Sequence, residues 1–186
     1  MMSRKTFSTR NMVVCAMIAA LYTALCLALA PFSYGMVQIR AAEALTLLPV
    51  FSPIAIWGVT LGCFVSNLVG FLTGANPLVF DIGIGTVATL IAAWLSYWAR
   101  GVKLFGLPVL SAVPPVVVNA VIIGLELTLL EMAGAFSFTV FLWNMLYVGV
   151  GQLIACFGLG LPLVYALTKT GTADRCFGAL EEAAKV

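Results

Sequence analysis

The sequence contains no histidine, which removes the commonest metal ligand and the usual general base of enzymes. Charged residues are scarce, at 9% of 186 residues, whereas a soluble domain carries about 25%. There is no Gly-x-x-x-x-Gly-Lys-Ser/Thr loop for ATP, no Gly-x-Ser-x-Gly and no His-Glu-x-x-His. The net charge of +2 is too small to indicate nucleic acid. We therefore predict no catalytic residues, no cofactor and no metal site.

Hydrophobic residues make up 63% of the chain and fall into long blocks. A membrane-spanning helix needs about 20 apolar residues, so six spans would use most of the length. We predict a single all-α membrane domain over residues 1–186, a multi-pass protein of the cell membrane. The expected spans are 11–30, 39–51, 53–72, 79–99, 107–131 and 138–167, followed by a cytoplasmic tail at 168–186.

The second block is short for a span, because 13 residues of helix cover only about 20 Å of a hydrocarbon core about 30 Å thick. The distribution of basic residues between the two sides of the membrane indicates whether this block crosses. If it crosses, eight basic residues share the side of the N-terminus and Arg40 alone lies opposite; if it is re-entrant, the split becomes three against six. The positive-inside rule favours six transmembrane helices with both termini cytoplasmic.

Polar residues gather at the outer ends of these spans. A charged group at the centre of a span costs about 2.5–3.5 kcal/mol, so such residues usually face an interior site. Asn119 and Glu126 are seven apart and share one face of the fifth span. We expect a polar cluster open to the outside, formed by Arg40, Glu43, Asn67, Asp81, Asn119, Glu126 and Asn144, with Tyr34 in a neighbouring loop.

Arg40 is the lone basic residue of this cluster, and its partner decides what the acids do. One alternative is a structural ion pair between Arg40 and Glu126. In the other, Glu43 satisfies Arg40 locally, since the two are three residues apart. That leaves Glu126 and Asp81 free for a cationic or donor-rich ligand. The excess of acids favours a neutral or positively charged ligand over an anion.

The first span carries an alanine at every fourth position, namely Ala16, Ala20, Ala24 and Ala28. Small residues at this spacing let another helix approach closely. The row therefore indicates either packing within the bundle or a docking face for a different protein.

Several segments resemble the QueT family of predicted queuosine-precursor transporters, over nearly the whole chain. The most specific is Val37-Gln-Ile-Arg-Ala-Ala-Glu-Ala-Leu-Thr-Leu-Leu-Pro49. The other segments are Leu61-Gly-Cys-Phe-Val-Ser-Asn67-Leu, Asp81-Ile-Gly-Ile-Gly-Thr-Val-Ala-Thr-Leu90, Pro115-Val-Val-Val-Asn119, Gly124-Leu-Glu126 and Leu159-Gly-Leu-Pro162.

The resemblance implies a substrate-binding S-component of an energy-coupling factor (ECF) transporter. Such a protein is a six-helix bundle that binds a vitamin-like molecule at its outer face. It then docks on a transmembrane coupling protein driven by two ATPase subunits. The first helix faces the coupling protein in this group, and Ala16, Ala20 and Ala24 match its spacing. Loops corresponding to Phe32–Gln38, Thr73–Val79 and Met132–Phe136 would gate the site.

The implied substrate is a 7-deazaguanine, such as preQ1, preQ0 or queuine. A carboxylate can accept both donors of a guanine-type edge, and the aminomethyl group of preQ1 adds a cation. We expect Glu126 on the ring edge and Asp81 near the cation, or the reverse, with the asparagines on the remaining ring atoms. Phe32, Tyr34 or Phe80 would stack on the ring. Alternatives are an S-component for another vitamin-like substrate and a non-transporting membrane scaffold.

Overall fold

The fold is described from a computed structural model, which covers residues 9–33, 40–104, 106–133 and 136–178. These residues are almost entirely helical, and no β-strand occurs among them. Five helical segments are long and apolar enough to cross a membrane: Thr9–Ala28, Ile54–Leu72, Phe80–Gly101, Val109–Glu131 and Phe138–Lys169. The prediction of an all-helical, multi-pass membrane protein is therefore confirmed.

The α-helices are α1 (Thr9–Ala28), α2 (Ala30–Ser33), α3 (Ile54–Leu72), α4 (Ile84–Trp98), α5 (Val113–Glu131), α6 (Phe138–Leu153) and α7 (Leu161–Lys169). A π-helical stretch, Ile154–Gly160, joins α6 to α7 without interrupting the helical segment. Consecutive long helices α3 to α6 pack against their neighbours along the chain, and α1 packs on α3.

Glycine allows α1 and α3 to approach closely. A Cβ atom at Gly58 would lie 2.8 Å from Ile18 Cβ, and one at Gly62 would lie 2.6 Å from Tyr22 Cβ. Both separations are too short for real side chains, so only glycine fits. The close packing fixes Tyr22 in the bundle interior, where its side chain is fully buried.

The segment Ala41–Val50 forms a 3₁₀ helix of 10 residues, called the short helix below. At about 2.0 Å per residue it covers about 20 Å. Every residue from Ala42 to Pro49 is buried, so the helix lies inside the bundle. Its contact with the π-helical stretch requires Gly160, where a Cβ would lie 2.5 Å from a methyl group of Leu47.

Contacts at its two ends show that the short helix runs from one end of the bundle to the other. Arg40, which precedes it, pairs with Asp81. Phe51, which follows it, stacks on Phe177 at a ring distance of 5.7 Å. We call these the acidic end and the basic end, respectively. Arg10 also lies at the basic end, because its guanidinium donates to the backbone carbonyl of Arg175 at 2.6 Å.

Candidate functional site

Asp81 is the centre of a hydrogen-bonded group at the acidic end. Its carboxylate oxygen Oδ2 pairs with the guanidinium of Arg40 and accepts a hydrogen bond from Asn76 Nδ2 at 3.0 Å. Its backbone carbonyl accepts a hydrogen bond from Asn67 Nδ2 at 2.8 Å. Arg40 donates in addition to the carbonyl of Ser33 at 3.2 Å. This group therefore joins the chain after α1, the start of the short helix, α3 and the turn before α4.

The position of Asp81 depends on a glycine one turn later. A Cβ atom at Gly85 would overlap the carboxylate oxygen Oδ1 of Asp81 and would lie 3.0 Å from Asn67 Nδ2. Glycine therefore lets the Asp81 carboxylate lie against the helix backbone. That oxygen is buried and has no hydrogen-bond partner among the described residues.

The expected local pairing of Arg40 with Glu43 is wrong. Arg40 pairs with Asp81, while Glu43 Oε1 accepts a hydrogen bond from the Tyr22 hydroxyl at 2.5 Å. The physical reason is that Arg40 precedes the short helix with an extended backbone, so it does not share a helix face with Glu43, which contacts Tyr22 of α1 instead. The residue types had indicated that Asp81 is free for a cationic ligand. In the structure the charge of Asp81 is compensated by Arg40 instead.

Glu126 presents the strongest signal of a ligand. It lies on α5 with 4% of its surface exposed, and neither carboxylate oxygen has a hydrogen-bond partner within the described parts of the chain. Among the described charged residues, Asp81 and Arg40 act on it electrostatically, and neither forms an ion pair or hydrogen bond with it. The expected alternative, an ion pair with Arg40, is also wrong, since Arg40 pairs with Asp81. A buried carboxylate without a partner is costly, so its retention points to a bound molecule.

The unpaired atoms of the cluster are mainly acceptors. Each of Glu43 Oε2, Asn67 Oδ1 and Asp81 Oδ1 is buried without a partner in the described structure, as are both oxygens of Glu126. The Asn67 amide is oriented by its bond to Asp81, so Oδ1 is the atom left over. One donor, Asn119 Nδ2, is buried and unpaired within the same described ranges. Such a set matches a ligand rich in N–H donors.

Of the remaining predicted site residues, Asn144 has a different environment. Its amide donates to the Thr128 hydroxyl at 3.2 Å and to a Glu131 carboxylate oxygen at 3.1 Å. These bonds join α6 to the outer end of α5. Asn144 therefore has an evident packing contact, whereas Asn119 does not. Tyr34 lies outside the described residues, as does part of the loop Phe32–Gln38.

One residue of the cluster, Tyr22, did not emerge from the sequence, and another, Asn76, belongs to a loop rather than to a span. Tyr22 sits in an apolar first span and gave no signal, although it holds Glu43. Asn76 belongs to a segment whose composition is typical of a turn. Its side chain is buried, donating to Asp81 and accepting a hydrogen bond from the backbone of Leu78 at 3.0 Å. The loop Thr73–Val79 is thereby fastened to the Arg40–Asp81 pair.

The surface beside the cluster includes an apolar groove of about 500 Å³ between α4 and α5. Phe80, immediately before Asp81, lines it with 60% of its surface exposed, and Ile122 lines it from α5. Phe80 is therefore an exposed aromatic residue adjacent in sequence to Asp81 of the polar cluster.

The alanine row lies on the surface of the bundle. Ala16, Ala20, Ala24 and Ala28 are all exposed, whereas Ile18, Tyr22 and Cys26 form the buried face of α1. The alternative that this row packs within the bundle is therefore wrong.

Comparison with known proteins identifies a family and a curated relative. Residues 12–169 match the model of the QueT transporter family. The relative, "Queuosine precursor transporter QueT" of Lactococcus lactis subsp. cremoris (strain MG1363), is 33% identical over 103 residues. That alignment spans 54% of this chain and 54% of the relative, so about half of the relative's length is covered. No solved structure matches significantly.

Proposed function

Because the chain belongs to the QueT transporter family, we propose that it captures a queuosine precursor, a 7-deazaguanine such as preQ1, at the acidic end of the bundle. The unpaired, buried carboxylate of Glu126 carries this proposal. The name of the Lactococcus relative supports the same substrate class.

The proposed contacts follow from the unpaired atoms. Adjacent N1–H and N2–H donors of a deazaguanine match the two oxygens of Glu126, side by side. We assign the ammonium of preQ1 to Glu43 rather than to Asp81. Oxygen Oε2 of Glu43 is unpaired among the described residues, whereas the charge of Asp81 is compensated by Arg40. Asn67 Oδ1 and Asn119 Nδ2 supply the acceptor and donor for the remaining ring atoms. Directional groups of this kind in a closed site give specificity and affinity.

The rim around these contacts forms the proposed gate. Arg40 connects Ser33 to Asp81, and Asn76 fastens the loop Thr73–Val79 to the same carboxylate. Phe80 is the described aromatic residue that stacks on the bicyclic ring in this proposal. Opening the loop breaks the hydrogen bond from Asn76 to Asp81 and exposes the cluster to the outside.

The proposal includes six membrane crossings with both termini cytoplasmic. Two observations support it. The residues that flank the short helix contact Asp81 at one end of the bundle and Phe177 at the other, and Arg10 near the N-terminus contacts Arg175 near the C-terminus. The basic end also holds Arg100, Lys103 and Lys169, as the positive-inside rule requires of a cytoplasmic face.

Transport is proposed to require a coupling protein and two ATPase subunits, as in ECF transporters. The chain has no P-loop of its own. The exposed alanines Ala16, Ala20 and Ala24 provide a surface on which another helix can pack closely.

Isothermal titration of the purified protein with preQ1 tests the proposal. We expect saturable binding, and Glu126→Gln should weaken it by about 10-fold or more, since one charge-assisted hydrogen bond contributes about 1.5–3 kcal/mol. Glu131→Gln is the matched control, because Glu131 is exposed and contacts Asn144. An absence of heat at tens of micromolar preQ1 would reject the proposal.

Competition separates the alternative substrates. Unlabelled preQ0, queuine and unrelated vitamins are added in turn to the preQ1 complex. Displacement of preQ1 by an unrelated vitamin, but not by preQ0 or queuine, would indicate an S-component for another substrate. A scaffold role predicts that no member of the panel raises the melting temperature. The unpaired state of Glu126 argues against that role, because a scaffold gains nothing from a buried acid without a partner.

A further inference from the structure

The basic end of the bundle contains a cavity lined by basic and apolar residues, separate from the acidic cluster. It measures about 490 Å³ and lies between the end of the short helix, the connection from α4 to α5, and α7. Arg100, Lys103 and Lys169 line it, and no carboxylate does so among the described residues. Three of the nine basic residues of the sequence thus face one hollow.

Aromatic rings hold two of these cations near the cavity. The guanidinium of Arg100 lies 3.6 Å above the centre of the Tyr97 ring and donates to the Tyr97 carbonyl at 3.1 Å. The ammonium of Lys169 lies 5.6 Å from the centre of the Tyr165 ring. Within the described ranges, no carboxylate lies within ion-pair distance of Arg100, Lys103 or Lys169. Converging cations repel one another, so an anion in the cavity is favoured.

We propose that this cavity binds the phosphate of an anionic phospholipid headgroup. Arginine and lysine together provide the donors that recognise phosphate. The cavity lies at the ends of membrane-spanning helices, where basic pockets meet lipid headgroups. Its other walls include Phe51 and Val164, which suit the apolar glycerol and upper acyl region of a lipid.

Positive-inside topology alone does not account for this arrangement. That rule requires basic residues on the cytoplasmic side but does not require them to share a cavity. Arg175 illustrates the difference, because it is exposed at the same end and is absent from the lining. The lipid site is independent of which molecule Glu126 binds.

Native mass spectrometry of the detergent-purified protein tests the proposal by titration with phosphatidylglycerol. Phosphatidylcholine with the same acyl chains serves as the neutral comparison. We expect preferential binding of phosphatidylglycerol, weakened about fivefold by Lys169→Gln and about 30-fold by Arg100→Gln with Lys169→Gln. Lys169→Arg keeps the charge and should retain binding. Arg175→Gln, which removes an exposed cation outside the cavity, should also leave binding unchanged.

Two results would overturn the proposal. Equal loss of phosphatidylglycerol in Arg175→Gln and Lys169→Gln would show that general surface charge attracts the lipid. Inorganic phosphate that displaces the lipid at equal concentration would assign the cavity to a free anion. Each variant is first checked for folding by its thermal transition. If the double variant fails to fold, Lys103→Gln is tested in its place, because Lys103 is exposed. We expect this variant to weaken phosphatidylglycerol binding about fivefold.

Discussion

Glu126 and Glu43 are both buried acids, but their surroundings predict opposite effects on stability. Replacing Glu126 with leucine removes a carboxylate that has no partner among the described residues, so the ligand-free protein should become more stable by about 1–3 kcal/mol. Replacing Glu43 with leucine leaves the Tyr22 hydroxyl without its acceptor and should destabilise by a similar amount. Thermal unfolding in detergent, without ligand, measures both. A loss of stability in Glu126→Leu would show that this carboxylate has a structural partner.

The ion pair between Arg40 and Asp81 predicts strong coupling between the two residues. Each of Arg40→Met and Asp81→Leu breaks this buried ion pair by removing one of its two charges and should cost about 3–5 kcal/mol. The double variant removes both charges, so its cost should be well below the sum. A double-mutant cycle on unfolding free energies measures this coupling. The matched cycle of Arg40→Met with Glu43→Gln should be closer to additive. A larger coupling energy for Arg40 with Glu43 than for Arg40 with Asp81 would contradict the pairing.

Residue types in the cluster could be predicted from the sequence, but their pairing could not. Acids and amides inside apolar blocks stand out because burial there is costly. Whether Arg40 reaches Glu43 or Asp81 depends on where the short helix begins, since Arg40 precedes it with an extended backbone, and on Gly85 making room for a carboxylate. Tyr22 gave no signal, because a tyrosine in a first span is equally typical of packing.

At the scale of helices, the alanine row of α1 yields a prediction about coupling. Ala20→Leu and Ala24→Leu fill the surface where a partner helix would approach, so uptake of preQ1 by cells should fall about 10-fold or more. Binding of preQ1 to the purified protein should stay unchanged, since these alanines face away from the bundle. Ala166→Leu makes the same change at an exposed alanine of α7 and should preserve uptake. Unaltered uptake in the α1 variants would exclude this face as the docking surface.

The short helix shows where periodicity stops being informative. All of its residues from Ala42 to Pro49 are buried, including Glu43, so no exposed face distinguishes an α-helix from a 3₁₀ helix. Its direction through the bundle was inferred from basic residues elsewhere in the chain, not from its own composition. The long helices were easier to predict, because a run of about 20 apolar residues between polar turns is typical of a membrane-spanning helix and of little else.

For the whole molecule, the two ends of the bundle predict which cysteines are reachable from outside the cell. Cys176 is exposed at the basic end, beside Phe177. A membrane-impermeant maleimide added to intact cells should not label Cys176 until the membrane is permeabilised. Thr73→Cys, in a Cys176→Ser background, places an exposed thiol at the acidic end and should be labelled in intact cells.

An inverted orientation of the whole bundle, with both termini outside, would reverse both labelling results. The arrangement that the contacts of the short helix allow is an inverted bundle, in which the acidic end with Thr73 lies inside and the chain after α7 lies outside. Labelling of Cys176 in intact cells, together with protection of Thr73→Cys, would therefore reject cytoplasmic termini and would place the acidic cluster on the cytoplasmic side. The same result would remove the proposed capture from outside, because Glu126 would then face the wrong compartment.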